Sequence, residues 1–215
     1  MSGLLLVPFL YLVSLPVIIG TVERLIFVTQ SWTTLDWVNQ RYADHPWVTL
    51  AHLLPGLVYF LIGLLQFSGR LRSRYPTLHR FLGRLYVTLG VASGLAVLWM
   101  VLVFPAVGGL LTQLGTFGVV AAMFACFWLA VVAVRSRQIA RHRAFMIRGY
   151  ALALSVSTAR IGINLSELIW GTTFEISFVP ASIFGAPVNI IVAEHQVRRF
   201  SVFGLFRGDR PAIRR

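Results

Sequence analysis

Six stretches of this chain stay apolar for the length a helix needs to cross a bilayer, roughly 20 residues at 1.5 Å each. They run approximately over 3–28, 47–68, 82–105, 110–134, 144–169 and 175–195. The runs are continuous, which predicts helices, because a membrane strand alternates apolar and polar residues. In lipid every backbone N–H and C=O must be bonded within the protein. The expected fold class is therefore all-α: a polytopic transmembrane helical bundle of about six spans. Residues 1–200 read as one transmembrane domain and residues 201–215 as a basic cytoplasmic tail. The composition agrees, with 57% hydrophobic residues, 12% charged residues and a mean hydropathy of +0.78. The opening MSGLLLVPFLYLVSLPVIIG lacks a basic leader, and its apolar run is longer than a signal sequence needs, so it reads as a retained first helix. The lone cysteine, Cys126, lies inside a run, so no internal disulfide is available.

The charge pattern orients the bundle. The net charge is +12 and all 19 basic residues are arginine. All but Arg24, Arg41 and Arg160 fall in the 68–84 connection, the 134–148 connection or the segment after 197. The positive-inside rule makes that side cytoplasmic, with both termini there. Arginine confined to the ends of apolar runs argues against nucleic-acid binding. The terminal RRFSVFGLFRGDRPAIRR, basic with interleaved aromatics, suits the surface of an anionic lipid bilayer. On the opposite side Trp32, Trp37, Trp47 and Trp170 fit an interfacial belt, and the 29–47 connection is expected to hold a short surface helix.

The Arg-rich connections also share a spelling. RSRYPTLHR (72–80) and RSRQIARHR (135–143) both read R-S-R, four residues, H-R, and each continues into R-x-Y, at Arg84–Tyr86 and Arg148–Tyr150. This predicts an internal repeat of two helical hairpins related by an axis along the membrane normal. His79 and His142 would then occupy equivalent places at one end of the bundle. A pair of imidazoles there could hold haem b through its iron, with Arg80, Arg84, Arg143 and Arg148 on the propionates and Gly83 leaving room for the macrocycle. Arg-rich topology signals produce the same residues without any cofactor, so lipid-headgroup or quinone binding stays open beside haem.

Polar residues inside the runs mark a second region. Arg160 lies roughly 18 Å deeper than Arg148 by helical rise, where a charge is costly and faces a bundle interior or cavity. Ser157, Arg160, Asn164 and Glu167 make one stripe on the fifth run. His52 lies at a similar level, as does Glu23, so a polar pocket of His52, Arg160, Asn164 and Glu23 is expected on the side away from the arginine loops. A quinone-headgroup site, an anion site or a proton-linked site are its functional readings, and an interhelical ion pair holding the bundle together is the competing one. Glu194 closes the sixth run on the Arg-rich side and reads as the salt-bridge partner of one of those loops. It counts with His52, Arg160 and Asn164 among the intramembrane ligand candidates. Pro180 and Pro187 are expected to kink the last span.

HPWVTLAHLLPG, QFSGRLRSRYPTLHRFLGRLYV, RHRAFMIRGYALALSVSTAR and the N-x4-E of Asn189 and Glu194 carry a likeness. Over roughly residues 45 to 200 the chain resembles the bacterial predicted-membrane-protein family called domain of unknown function twenty-three-oh-six. The resemblance implies a multi-pass protein of the bacterial cytoplasmic (inner) membrane. It points at His52, His79, His142, Arg160 and Glu194 without naming a chemistry. The expected function is a ligand- or cofactor-binding bundle, with haem b electron transfer as the sharpest form. A small transporter, a quinone-linked protein, or an accessory subunit in a homo-oligomer or larger membrane complex are the alternatives.

Overall fold

The chain is described by a computed structural model over residues 3–29, 37–104 and 107–206. Those residues are helical almost throughout, with no strand among them: α1 (Gly3–Thr29), α2 (Trp37–Asp44), α3 (Pro46–Gln66), α4 (Gly69–Arg74), α5 (Pro76–Val103), α6 (Gly109–Arg135), α7 (Ile139–Ala153), α8 (Ser155–Trp170) and α9 (Phe174–Phe206). Proline opens α3 and α5 at the first helical position, where its missing N–H costs nothing. The Ser68 hydroxyl caps the Leu71 N–H at 3.3 Å and starts α4. Gly108 (φ +79) precedes α6 and Gly171 (φ +62) ends α8, both in the left-handed region that favours glycine. The short α2 occupies the connection where a surface helix was expected. Trp32 lies outside the described residues.

Five of these helices are long and apolar enough to cross a membrane: α3, α5, α6, Leu12–Thr29 of α1 and Phe174–Arg198 of α9. The sixth expected span, 144–169, is a correction. It is divided at Leu154 into α7 and α8, of 15 and 16 residues, and neither reaches spanning length alone. Two side chains meet the backbone at the division. Asn189 Nδ2 on α9 donates to the Ala151 carbonyl at 3.1 Å, and the Ser155 hydroxyl donates to the Leu152 carbonyl at 2.6 Å. Hydroxyl back-bonding of this kind bends helices. The last helix also runs past the expected domain boundary, through residue 201 to Phe206. Residues 207–215 of the basic tail lie outside the described residues. Pro180 and Pro187 sit inside α9 without dividing it, and each removes one backbone bond, to the carbonyls of Ile176 and Ile183.

The helices pair as antiparallel hairpins. α3 lies along α5 and α6 along α7, with α9 covering α7 and α8, and α1 touching α3 and α8. At their centre is a buried aromatic cluster of Tyr59, Phe60, Tyr86, Phe127 and Tyr150. Tyr86 and Tyr150, equivalent in the sequence repeat, lie with ring centroids 6.5 Å apart. The Tyr59 and Tyr86 rings stack at 4.3 Å and their hydroxyls share a hydrogen bond of 2.5 Å. The Tyr150 hydroxyl meets Ser14 of α1 at 3.1 Å. Lipid and helix are equally apolar, so close packing and interhelical hydrogen bonds hold such a bundle. Glycines permit it: a Cβ on Gly63 would stand 2.8 Å from the Tyr150 ring and 2.9 Å from Tyr86.

Candidate functional site

The two expected sites fall in different parts of the bundle. The first is at the Arg-rich end. His79 sits in the first turn of α5 and His142 in the first turn of α7, and each amide bonds back to the residue before its helix, Tyr75 and Gln138. The two histidines thus hold matching backbone positions in the first turns of their helices. Both rings are half-buried, and they lie within electrostatic reach of one another. The Nδ1 of His142 donates to the Ala130 carbonyl of α6 at 3.0 Å. That bond fixes the tautomer and leaves Nε2 with a free lone pair, the posture of a metal-ligating histidine. The Nδ1 of His79 is buried with no hydrogen-bond partner among the described residues, and so is the amide Nε2 of Gln66. An unmatched buried polar atom is costly and calls for an explanation such as an absent ligand.

The charges around this pair are of one sign. Arg72 acts electrostatically on both His79 and Arg143. Burial, with Arg72 nearby, draws the Arg143 guanidinium below its ordinary value. Glu194, the acid on this end of α9, is engaged elsewhere. It holds Arg148 by two bonds, Nε to Oε1 at 2.5 Å and Nη2 to Oε2 at 3.0 Å. This is the ion pair to the Arg-rich side expected from sequence, made between α7 and α9, and it separates Glu194 from the ligand group in which it was counted.

A flat macrocycle with two carboxylates meets both matching and opposing features here. The open Nε2 positions and the Arg72–Arg143 pair suit it. Arg148 does not, since Glu194 already occupies its guanidinium. Gly83 does not leave a vacant face either, because the Gln66 side chain lies 3.3 Å from where its Cβ would be. Arg80 and Arg84 are exposed on the outside of α5, and Arg80 reaches only Thr77 at 3.4 Å. Arg72 and Arg143, exposed as Arg80 and Arg84 are, stand nearest the two histidines at the rim of the bundle. Arg72 was not singled out from sequence; its signal was its place in the first RSR.

The second site lies between α1 and α8. A cleft of about 430 Å³ is lined by Leu12, Leu15, Ile19, Glu23, Arg160 and Asn164, with Gly20 at its floor. The Arg160 guanidinium lies against Gly20, in the volume a side chain there would fill. His52 does not join them. Its Nδ1 donates to the Ser93 carbonyl at 3.0 Å, and the Ser93 hydroxyl donates to the His52 carbonyl at 2.9 Å, so the pair ties α3 to α5. A second polar tie was missed in sequence: Asn189 accepts from Thr158 at 2.9 Å while it donates to Ala151.

The family model described as a predicted membrane protein, DUF2306, matches residues 49–197. The chain belongs to this family. The match covers both hairpins, α8 and the spanning part of α9, hence His79, His142, Arg160, Asn189 and Glu194 of this DUF2306 protein. No curated protein and no solved structure matches it. It is an integral membrane protein, and lipid surrounds its helices.

Proposed function

We propose that this DUF2306 protein is a b-type haem-binding membrane bundle, with the haem held at the Arg-rich end between His79 and His142. The observation that carries the reading is the nearness of the two imidazoles at matching places in their helices. The His142 Nδ1 is bonded to a carbonyl, the His79 Nδ1 is buried without a partner, and neither Nε2 has a partner among the described residues. Arg72 and Arg143 would accept the propionates, as charge-assisted pairs. Bound haem would supply one-electron chemistry, which makes the reading that of an electron carrier of the bacterial cytoplasmic membrane, with the arginine end cytoplasmic.

The test is the absorption spectrum of protein purified from haem-replete cells, with iron measured alongside. The expected result is a Soret band with the sharp α and β bands of a reduced six-coordinate haem, and about one iron per chain. His79→Ala and His142→Ala should each abolish that six-coordinate signature. A colourless, monodisperse preparation overturns the reading.

A further inference from the structure

The cleft between α1 and α8 stands apart from the histidine pair and carries its own chemistry. Three polar side chains line it: Glu23 from α1, Arg160 and Asn164 from α8. None of the three has a hydrogen bond or ion pair among the described residues, although Arg160 lies within electrostatic reach of Tyr42 of α2 and of Glu23. A guanidinium kept from its nearest carboxylate in an apolar surround is unusual, because direct pairing is its simplest relief. The interhelical ion pair that would explain these residues structurally is absent among the described residues. Their donors and acceptor instead face a space of about 430 Å³, the size of a small-ligand pocket.

The rest of the lining says what kind of molecule enters. Leu12, Leu15 and Ile19 continue the cleft along α1 away from Glu23, and all three are exposed on the lipid-facing surface of the helix. The polar group is thus at one end of an apolar track that opens sideways to lipid. Depth separates the candidate amphiphiles. The Arg160 guanidinium lies against Gly20, near the middle of the Leu12–Thr29 span of α1 and about 14 Å from its end at Thr29 by helical rise, in a hydrocarbon layer about 30 Å thick. A phospholipid headgroup belongs at the surface, not at mid-depth. An isoprenoid quinone lies wholly within the hydrocarbon, and its ring carries two carbonyl acceptors on an apolar tail.

We propose that this cleft is a binding site for the headgroup of a membrane quinone. Arg160 and Asn164 donate to a ring carbonyl, Glu23 accepts from the hydroxyl of the reduced form, and the tail follows Leu12, Leu15 and Ile19. The inference rests on the cleft alone and stands whether or not haem is bound at the other end.

The experiment is photolabelling of the purified full-length protein in lipid nanodiscs with a ubiquinone that carries an azide on its ring. The expected label falls on peptides from α1 and α8. Decylubiquinone should compete it away, and decanol and added phosphatidylglycerol should not. Arg160→Ala should lower the competed labelling about tenfold, the loss of one hydrogen bond from a charged donor. Gly20→Leu keeps the charge and displaces the guanidinium, and it should lower labelling too. Asn164→Leu, an exposed position, guards against a fold defect in the other two and should also weaken labelling. Label on other helices, competition by decanol or phosphatidylglycerol, or undiminished labelling in folded variants would overturn the proposal.

Discussion

Glu194 and Arg148 form a two-pronged pair at the Arg-rich end, with 37% and 27% of their side chains exposed. Pairs that water can reach contribute about 1 kcal/mol or less, so this one fixes where α9 sits against α7 more than it adds stability. A double-mutant cycle with Glu194→Gln and Arg148→Gln, followed by thermal unfolding in detergent, should give a coupling energy of about 1 kcal/mol or less, favourable in sign. A coupling near zero would mean the two bonds contribute nothing. At this scale the sequence was informative where charge type alone decided the partner. One carboxylate beside two arginine loops left little choice, and the R-x-Y of the second copy supplied the arginine. It was misleading for His52, whose partner is a serine on another helix, a meeting that no periodicity within α3 encodes. Arg72 was passed over for the same reason: its closeness to His79 and Arg143 arises from the packing of two connections.

Between helices the deciding residues are small. Gly63, Gly90 and Gly149 each lie against a ring of the central cluster, and a Cβ at any of them would stand 2.8 to 2.9 Å from an aromatic carbon. Gly185 of α9 is tighter in kind, because its neighbour at 2.7 Å is the Ser155 carbonyl oxygen, part of the backbone. A ring can swing, whereas a carbonyl at a helix division moves only with its helix. Gly185→Ala should therefore destabilise the bundle by about 1–3 kcal/mol, the usual cost of overpacking. Gly115→Ala, with nothing within 4 Å, should be neutral or slightly stabilising. Unfolding midpoints of the two variants check this, and equal midpoints would contradict the close α8–α9 approach. The same contact explains why the division at Leu154 was invisible beforehand. No proline or glycine marks it. It depends on Ser155 and on Asn189 from α9, and only the tertiary fold brings the amide of residue 189 to the carbonyl of residue 151. The apolar runs themselves were legible because burial in lipid acts on each helix separately.

For the whole molecule, the division of α7 from α8 raises the question of how many times the chain crosses. With five crossings the two ends of the chain would lie on opposite sides. With six they share the arginine side, as the charge distribution predicts. Backbone bonding continues across the division. The Leu154 N–H still bonds Tyr150 at 2.9 Å, and the Thr158 N–H bonds Leu154 at 3.0 Å, so the two helices follow one another as a single interrupted rod. From Ile139 to Trp170 that rod would extend about 48 Å by helical rise, against a hydrocarbon layer of about 30 Å. It misses the apolarity of its neighbours because Arg148, Ser157, Arg160 and Asn164 dilute it: Arg148 serves the ion pair with Glu194, Ser157 bonds the Val13 carbonyl of α1, and Arg160 and Asn164 line the cleft. Reporter fusions after residues 75, 138 and 206 should therefore report one face of the membrane, and fusions after residues 107 and 171 the other. If the fusions after 138 and 171 reported the same face, α7 and α8 would form a re-entrant pair. The two ends of the chain would then lie on opposite sides, against the charge distribution.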